Sequence, residues 1–228
     1  MNTLVKATNL KKSFDTGSVV THVLRGIDLE IKQGEFVAIM GKSGAGKSTL
    51  MYQLSALDIP TSGEIIVDGI DVAKLNEKER TAFRLSTLGY VFQDYALVPD
   101  LNARENVMMP LLMRCLTWDD AEQKAEKSLD DVGLVNKYTN LPSELSGGEQ
   151  QRVAVARAIA IEPKIIFADE PTANLDSVSG QQVVDLLTNL HKNKGQTIVM
   201  VTHEMEYTES CDSIIEMEDG LISGEMDK

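Results

Sequence analysis

Gly41-Lys-Ser-Gly-Ala-Gly-Lys-Ser-Thr49, GKSGAGKST, decides the fold of this chain. It follows an apolar run, Phe36-Val-Ala-Ile-Met40, and precedes a segment that reads as a helix from Lys47 to about Leu57. That setting separates a phosphate-binding loop from a chance cluster of glycines. The pattern is G-x-x-x-x-G-K-S, and each residue type has a task. Gly41, Gly44 and Gly46 let the backbone curl so that successive N–H groups point at one anion. Lys42, Ser43 and Ala45 supply backbone to the same cradle, and Thr49 closes the motif. The following helix adds the positive end of its dipole. Lys47 reaches the β- and γ-phosphates, and the Ser48 hydroxyl ligates Mg²⁺.

Outward from the loop, the first part of the chain reads as antiparallel strands. Leu4 to Phe14 is one, and Val23 to Ile31 is another, with Ile27, Leu29 and Ile31 alternating at period two. Phe36 to Met40 is a continuous apolar run, the mark of a strand buried on both faces. Gly63 to Gly69 is a short strand between turn glycines, and Leu88 to Phe92 is a strand ending at Gln93. From about Ala103 to Ala160 the texture is helical. Ala121, Ala125, Leu129 and Val132 share one helix face, Gly133 is its cap, and another helix opens near Gly148. Strand and helix then alternate: Ile165 to Ala168, a helix from Ser177 to Lys194, Thr197 to Val201, and Ser213 to Met217. Buried strands alternating with helices imply a parallel sheet, with the helical stretch inserted into it.

The 228 residues suffice for a sizeable core, and the apolar runs are too short to span a bilayer. Residues Met1 to Lys6 show no signal-peptide pattern, so the expected location is the cytoplasm. Cys115 and Cys211, without metal-ligand spacing, agree with a reducing compartment. A net charge of −13 repels nucleic acid and anionic lipid, so no nucleic-acid partner is expected. Any membrane contact then runs through a protein partner.

Two further motifs carry chemistry. Ile165-Ile-Phe-Ala-Asp169-Glu170 is an apolar strand ending in two carboxylates. At the carboxyl edge of a parallel sheet such groups meet what the phosphate loop binds. Asp169 suits the Mg²⁺ shell through water, and Glu170 suits a general base. The bland alternative is a strand that ends in a solvated acidic turn. Leu145-Ser-Gly-Gly-Glu149 opens the helix from Gln150 to Ala160. Ser146 and Glu149 fit a capping box, which alone requires no paired glycines. Gly147 and Gly148 leave N–H groups bare at a helix N-terminus, a second anion site. One triphosphate needs only one cradle, so the second suggests the nucleotide of another copy.

These residues resemble the nucleotide-binding subunit of an ATP-binding-cassette (ABC) transporter, from about Leu4 to about Ile222. The motifs stand in the family's order: GKSGAGKST, Gln93 in Tyr90-Val-Phe-Gln93, LSGGEQQR from Leu145 to Arg152, IIFADE, Asn174-Leu-Asp176 and Thr202-His203. The resemblance implies an α/β fold of the P-loop NTPase class: a mainly parallel sheet core, an N-terminal antiparallel β subdomain and an inserted α-helical subdomain. Residues 1–93 and 161–228 would form the core with its β subdomain, and about 94–160 the helical subdomain. It implies ATP and Mg²⁺ as ligands and ATP hydrolysis as the activity. Phe14 resembles the aromatic that stacks on adenine, where tyrosine is commoner; without the family it reads as a strand core residue. Gln93 resembles the residue that contacts Mg²⁺ and the attacking water and senses the transporter partner. His203 resembles the histidine that contacts the γ-phosphate. Asp176 resembles the aspartate that crosses the dimer interface, and it also reads as an N-cap for the helix at Ser177. Departures are mild: Lys42 stands where proline is common, Ala45 where serine is frequent, and Asn174 where many relatives carry serine. None removes a reactive group.

Leu57-Asp-Ile-Pro-Thr-Ser-Gly-Glu64, Val98 to Val107 and Met109-Pro-Leu-Leu112 are similar to the lipoprotein-releasing and macrolide-exporting group. The expected protein is therefore a homodimer on ATP binding. It is peripheral on the inner face of the cell membrane and drives an integral membrane permease subunit. The rivals are an amino-acid importer ATPase, a soluble ABC protein acting on nucleic acid or ribosomes, and a non-enzymatic scaffold. Few residues follow the last expected strand, which leaves little room for a regulatory domain.

Overall fold

The computed structural model describes residues 2–17 and 19–227. The chain divides into two compact units, Met1–Thr81 with His191–Lys228, and Ala82–Leu190.

In the first unit, β1 (Thr3–Asp15) and β2 (Val20–Lys32) form a long antiparallel ribbon, and β4 (Ser62–Val67) and β5 (Ile70–Asp71) extend it in the order β2-β1-β4-β5. Alternation decides which face is inside: Ile27, Leu29 and Ile31 are buried while Asp28 and Glu30 are exposed. A second sheet contains β3 (Phe36–Gly41), every residue of which is buried except the terminal Gly41. It lies between two parallel neighbours, β8 (Thr197–Val201) and β9 (Ser213–Glu218), and β10 (Leu221–Asp227) returns antiparallel to β9. Apolar runs without alternation are what a doubly covered parallel sheet demands. Helix α1 (Lys47–Leu54) follows β3 and buries Leu50, Met51 and Leu54.

The second unit holds a parallel pair, β6 (Leu88–Val91) and β7 (Ile165–Asp169). Between them run α3 (Ala103–Met113), α4 (Trp118–Asp131) and α5 (Gly147–Ile159), which pack on one another. Helix α4 buries Ala121, Ala125 and Leu129 on one side, and Gly133 leaves it at φ 76°. Asn102 and Glu105 form a capping box that starts α3. Helix α6 (Ser177–Lys194) buries Val183, Val184, Leu187 and Leu190, the face read from its period.

Besides the two-residue β5, two elements lay outside the sequence reading. Helix α2 (Glu77–Thr87) begins with a reciprocal box in which Asn76 Oδ1 accepts from Glu79 N (3.0 Å) and Glu79 Oε2 accepts from Asn76 N (2.9 Å). That signal was present in Asn76-x-x-Glu79. Strand β10 was hidden because Gly224 interrupts its pattern, at a register shift between Ile222 and Gly224. Helix α1 ends at Leu54, three residues before the expected Leu57, because Ala56 turns left-handed at φ 56°.

Candidate active site

In the first unit, the loop from Gly41 to Gly46 joins β3 to α1. Gly46 is the N-cap of α1 at φ 98°, with no side-chain cap and no acidic residue in the first turn. The positive end of the helix dipole therefore meets no acidic side chain of its own first turn, which suits an anion. Gly41 is required by close approach: a Cβ there would stand 2.3 Å from the Met217 carbonyl oxygen. Ala45 is buried, and its carbonyl accepts from Gly220 N (3.1 Å). Its methyl group suits a buried position, where an unpartnered hydroxyl would be costly.

The Lys47 side chain is 7% exposed and folds back over the loop, where Nζ donates to Gly41 O (2.9 Å) and Lys42 O (3.2 Å). These carbonyls hold the ammonium at the loop, where phosphate oxygens are stronger acceptors. Lys42, Ser43 and Gly44 are exposed, while Ser48 and Thr49 are half-buried on the first turn. Strand pairing adds one more residue. Ile39 of β3 faces Val201 of β8, and Thr202 N donates to Ile39 O (3.2 Å). The exposed His203 thus leaves the sheet at the edge where the phosphate loop leaves it. Phe14 is 45% exposed, which removes the core reading of its ring, and Lys12 Nζ stands 5.0 Å from the ring centroid.

In the second unit, Val91 of β6 pairs with Ala168 of β7, so Gln93 and the Asp169-Glu170 pair emerge at one strand edge. Asp169 is 5% exposed. Glu170 has a left-handed backbone at φ 43°, an uncommon state for a residue with a Cβ and a frequent one at reactive positions. Gln93 is exposed.

Ser146 caps α5: its Oγ accepts from Glu149 N (3.2 Å), and Glu149 Oε2 accepts from Ser146 N (2.8 Å). The Ser146 N–H, and secondarily Lys137 at 3.0 Å, hold the Glu149 carboxyl below its ordinary range. The N–H groups of Gly147 and Gly148 have no partner among the described residues. Both glycines also have a packing reason that the sequence did not disclose. A Cβ on Gly147 would lie 2.9 Å from Tyr95 Oη, and one on Gly148 would lie 3.0 Å from Ser179 Cβ and Oγ. Asp176 accepts from Ser179 N (3.0 Å) and Ser179 Oγ (2.8 Å), which caps α6 and lowers its pKa.

The partners of three side chains escaped the sequence reading. Asn106 is fully buried: its Oδ1 accepts from Val98 N, and its Nδ2 donates to the carbonyls of Val98, Leu101 and Asn102. Arg157 donates to the Tyr95 and Ala96 carbonyls, 62 and 61 residues away. Asn174 donates to Gln93 O (3.0 Å). Backbone partners this distant leave no pattern in sequence.

No group of three or more His, Cys, Asp or Glu side chains forms a metal cage among the described residues. Mg²⁺ needs none when phosphates and waters complete its shell. Ser48, in the first unit, and the buried Asp169, in the second, each carry a hard oxygen donor of the kind such an ion takes.

Comparison with known proteins agrees with this geometry. Residues 24–173 match the ABC transporter family model. The lipoprotein-releasing system ATP-binding protein LolD of Syntrophus aciditrophicus is 46% identical over 219 residues, covering 96% of this chain and 98% of the relative. The macrolide export ATP-binding/permease protein MacB of Campylobacter fetus is 45% identical over 96% of this chain, which spans 34% of that longer protein. A solved dimer of the ATP-binding cassette MJ0796, in a post-hydrolysis state bound to ADP and Pi, superposes with a TM-score of 0.91 at 40% identity over 98% of both chains. Its likeness covers the antiparallel sheet, the parallel strands and the helices alike. Motif order, fold and whole-length similarity agree, and the chain belongs to the ABC transporter family as one of its ATP-hydrolysing cassettes, with ATP and Mg²⁺ as its ligands.

Proposed function

We propose that two copies of this chain close head to tail around two ATP molecules and thereby drive a separate integral membrane permease. The observation that carries the reading is a pair of glycine-bearing helix starts in one chain, at Gly46 and at Ser146-Gly147-Gly148. In each half-site, residues Gly41 to Thr49 of one copy hold the phosphates, Lys47 reaching the β- and γ-oxygens. Ser146, Gly147, Gly148 and Glu149 of the other copy meet the γ-phosphate, and Asp176 crosses between copies. Phe14 stacks on the adenine. Ser48, Gln93 and Asp169 would hold Mg²⁺, which would neutralise charge on the phosphate oxygens.

The chemistry falls to this chain's own groups. Glu170 accepts a proton from water as the water oxygen attacks the γ-phosphorus, and the bond to the ADP oxygen breaks. Gln93 orients that water, and His203 donates to the γ-phosphate. The γ-phosphate bridges the copies, so ATP binding stabilises closure and its loss releases them. Residues 94–160, the helical subdomain, carry the signature motif and face the partner. Two relatives are named for lipoprotein release and macrolide export. On their similarity we assign the partner to a permease for lipoprotein, peptide or drug export, with this chain peripheral on the cytoplasmic face. No described helix is long and apolar enough to cross a membrane.

Glu170→Gln tests the reading. The variant is expected to bind ATP, to lose turnover by about 10²- to 10⁴-fold as befits a missing general base, and to elute as a dimer with ATP. Normal turnover, or a monomer at saturating ATP, overturns it. Copurification from membranes with identification of the bound integral protein tests the partner.

A further inference from the structure

The loop that carries Gln93 makes contacts that the proposed chemistry does not use. Tyr95 and Ala96 are consecutive left-handed residues, at φ 63° and 47°. Side chains with a Cβ resist that conformation, so a pair of them persists only where the surroundings hold it. From α5, Arg157 supplies the hold: Nη2 donates to Tyr95 O (2.8 Å) and Nη1 to Ala96 O. Gln151 Nε2 of the same helix donates to Phe92 O (3.3 Å).

The other side of the loop touches the segment after Glu170. Asn174 Nδ2 donates to Gln93 O (3.0 Å), and Tyr95 Oη donates to Asn174 O (3.3 Å). The two bonds run in opposite directions between the same pair of segments, as a two-point clasp. The Tyr95 hydroxyl also occupies the space that a Cβ on Gly147 would need. Two residues beyond Asn174 stands Asp176, tied to Ser179, which in turn lies against Gly148. A serine at position 174 has a shorter side chain, so it would not span this separation.

We propose that Asn174 and Tyr95 are positioning residues forming a latch between the Gln93 loop and the Asp176 loop, and that Arg157 holds the strained backbone the latch requires. A displacement of Gln93 then carries Asn174 with it and withdraws Tyr95 from Gly147. What senses the membrane partner and what crosses to the second copy are thereby one mechanical element. The consequence for turnover rests on the function proposed above; the latch itself does not.

The test separates the two. Hydrogen exchange is measured on nucleotide-free wild type, Asn174→Ser, Tyr95→Phe and the double variant. The protected amides to follow are Tyr95, Ala96 and Val98 in one loop, and Ala173, Leu175 and Ser179 in the other. Each single substitution is expected to raise exchange in both loops by about fivefold, the worth of one net hydrogen bond. The double variant should match the larger single effect, because either break opens one latch. Buried helix amides at Val183 to Leu187 should not change, which excludes general destabilisation. Turnover should fall by about fivefold with KM for ATP within about twofold. Arg157→Lys keeps the charge but loses the fork, and it should raise exchange at Tyr95 and Ala96 as well. Exchange confined to the substituted loop, or effects that simply add, overturns the latch. A wild type without ATP turnover overturns the proposed function and leaves the exchange result to decide the latch.

Discussion

Ser146 is the position where helix capping and phosphate recognition can be separated. Ser146→Ala removes the acceptor for Glu149 N and leaves the reciprocal bond from Ser146 N to Glu149 Oε2 in place. Losing half of a capping box costs about 1 kcal/mol, which for a chain of this length lowers the melting temperature by about 2–4 °C. If Ser146 also meets a γ-phosphate, the variant loses a hydrogen bond to a charged group as well. That contact is worth about 1.5–3 kcal/mol, or about 10- to 150-fold in turnover. Ser146→Asp separates the two roles. Aspartate caps as well as serine and suits the helix dipole, so the melting temperature should return to the wild-type value. Its carboxylate repels the phosphate, so turnover should stay low and ATP-driven dimers should not form. The assays are thermal unfolding by circular dichroism and phosphate release at saturating Mg²⁺–ATP. A Ser146→Asp protein that hydrolyses ATP at the wild-type rate would show that Ser146 is a cap and nothing more.

Lys47→Ala removes the ammonium that rests on the Gly41 and Lys42 carbonyls; ATP affinity by calorimetry should fall by about 10- to 150-fold, and equal affinity would dismiss the phosphate assignment. Gly41→Ala drives a Cβ to 2.3 Å from Met217 O, an overpacking of about 2 kcal/mol that should lower the melting temperature by about 4–8 °C; an unchanged value would mean that β3 and β9 pair in another register. Glu149 is held below its ordinary pKa by the Ser146 N–H and by Lys137. Its contribution is therefore complete above the ordinary carboxylate pKa of about 4.3 and disappears as pH falls through the lower folded value. The urea midpoint of wild type should exceed that of Glu149→Gln near neutrality, with the gap closing below about pH 4; a gap that is constant with pH would place the effect in packing instead of charge.

Much of the fold was legible because burial on both faces leaves unbroken apolar runs. Phe36 to Met40, Ile165 to Ala168 and Thr197 to Val201 are strands as read, and α6 occupies Ser177 to Lys194. Helix α2 is amphipathic but short, and its signal lay in a capping box instead of an apolar stripe. Strand β10 carries Gly224 where a side chain would have kept the alternation. At the site, the order of the motifs pointed to the family, because phosphate binding needs glycine, lysine and hydroxyl at fixed spacings along one turn.

Local spacing says nothing of what returns from a distance. The sequence by itself determined a phosphate loop, an acidic strand end and a capped signature helix, since each is completed within about ten consecutive residues. Tertiary structure alone decided that His203 leaves the sheet beside the loop after Met40, through the pairing of Ile39 with Val201. It alone decided that Gln93 shares an edge with Asp169, through Val91 and Ala168. It also gave Gly147 and Gly148 their neighbours, Tyr95 and Ser179, and turned Arg157 toward two strained carbonyls. Those partners are backbone groups, and every residue has the same backbone, so only the path of the folded chain could select them.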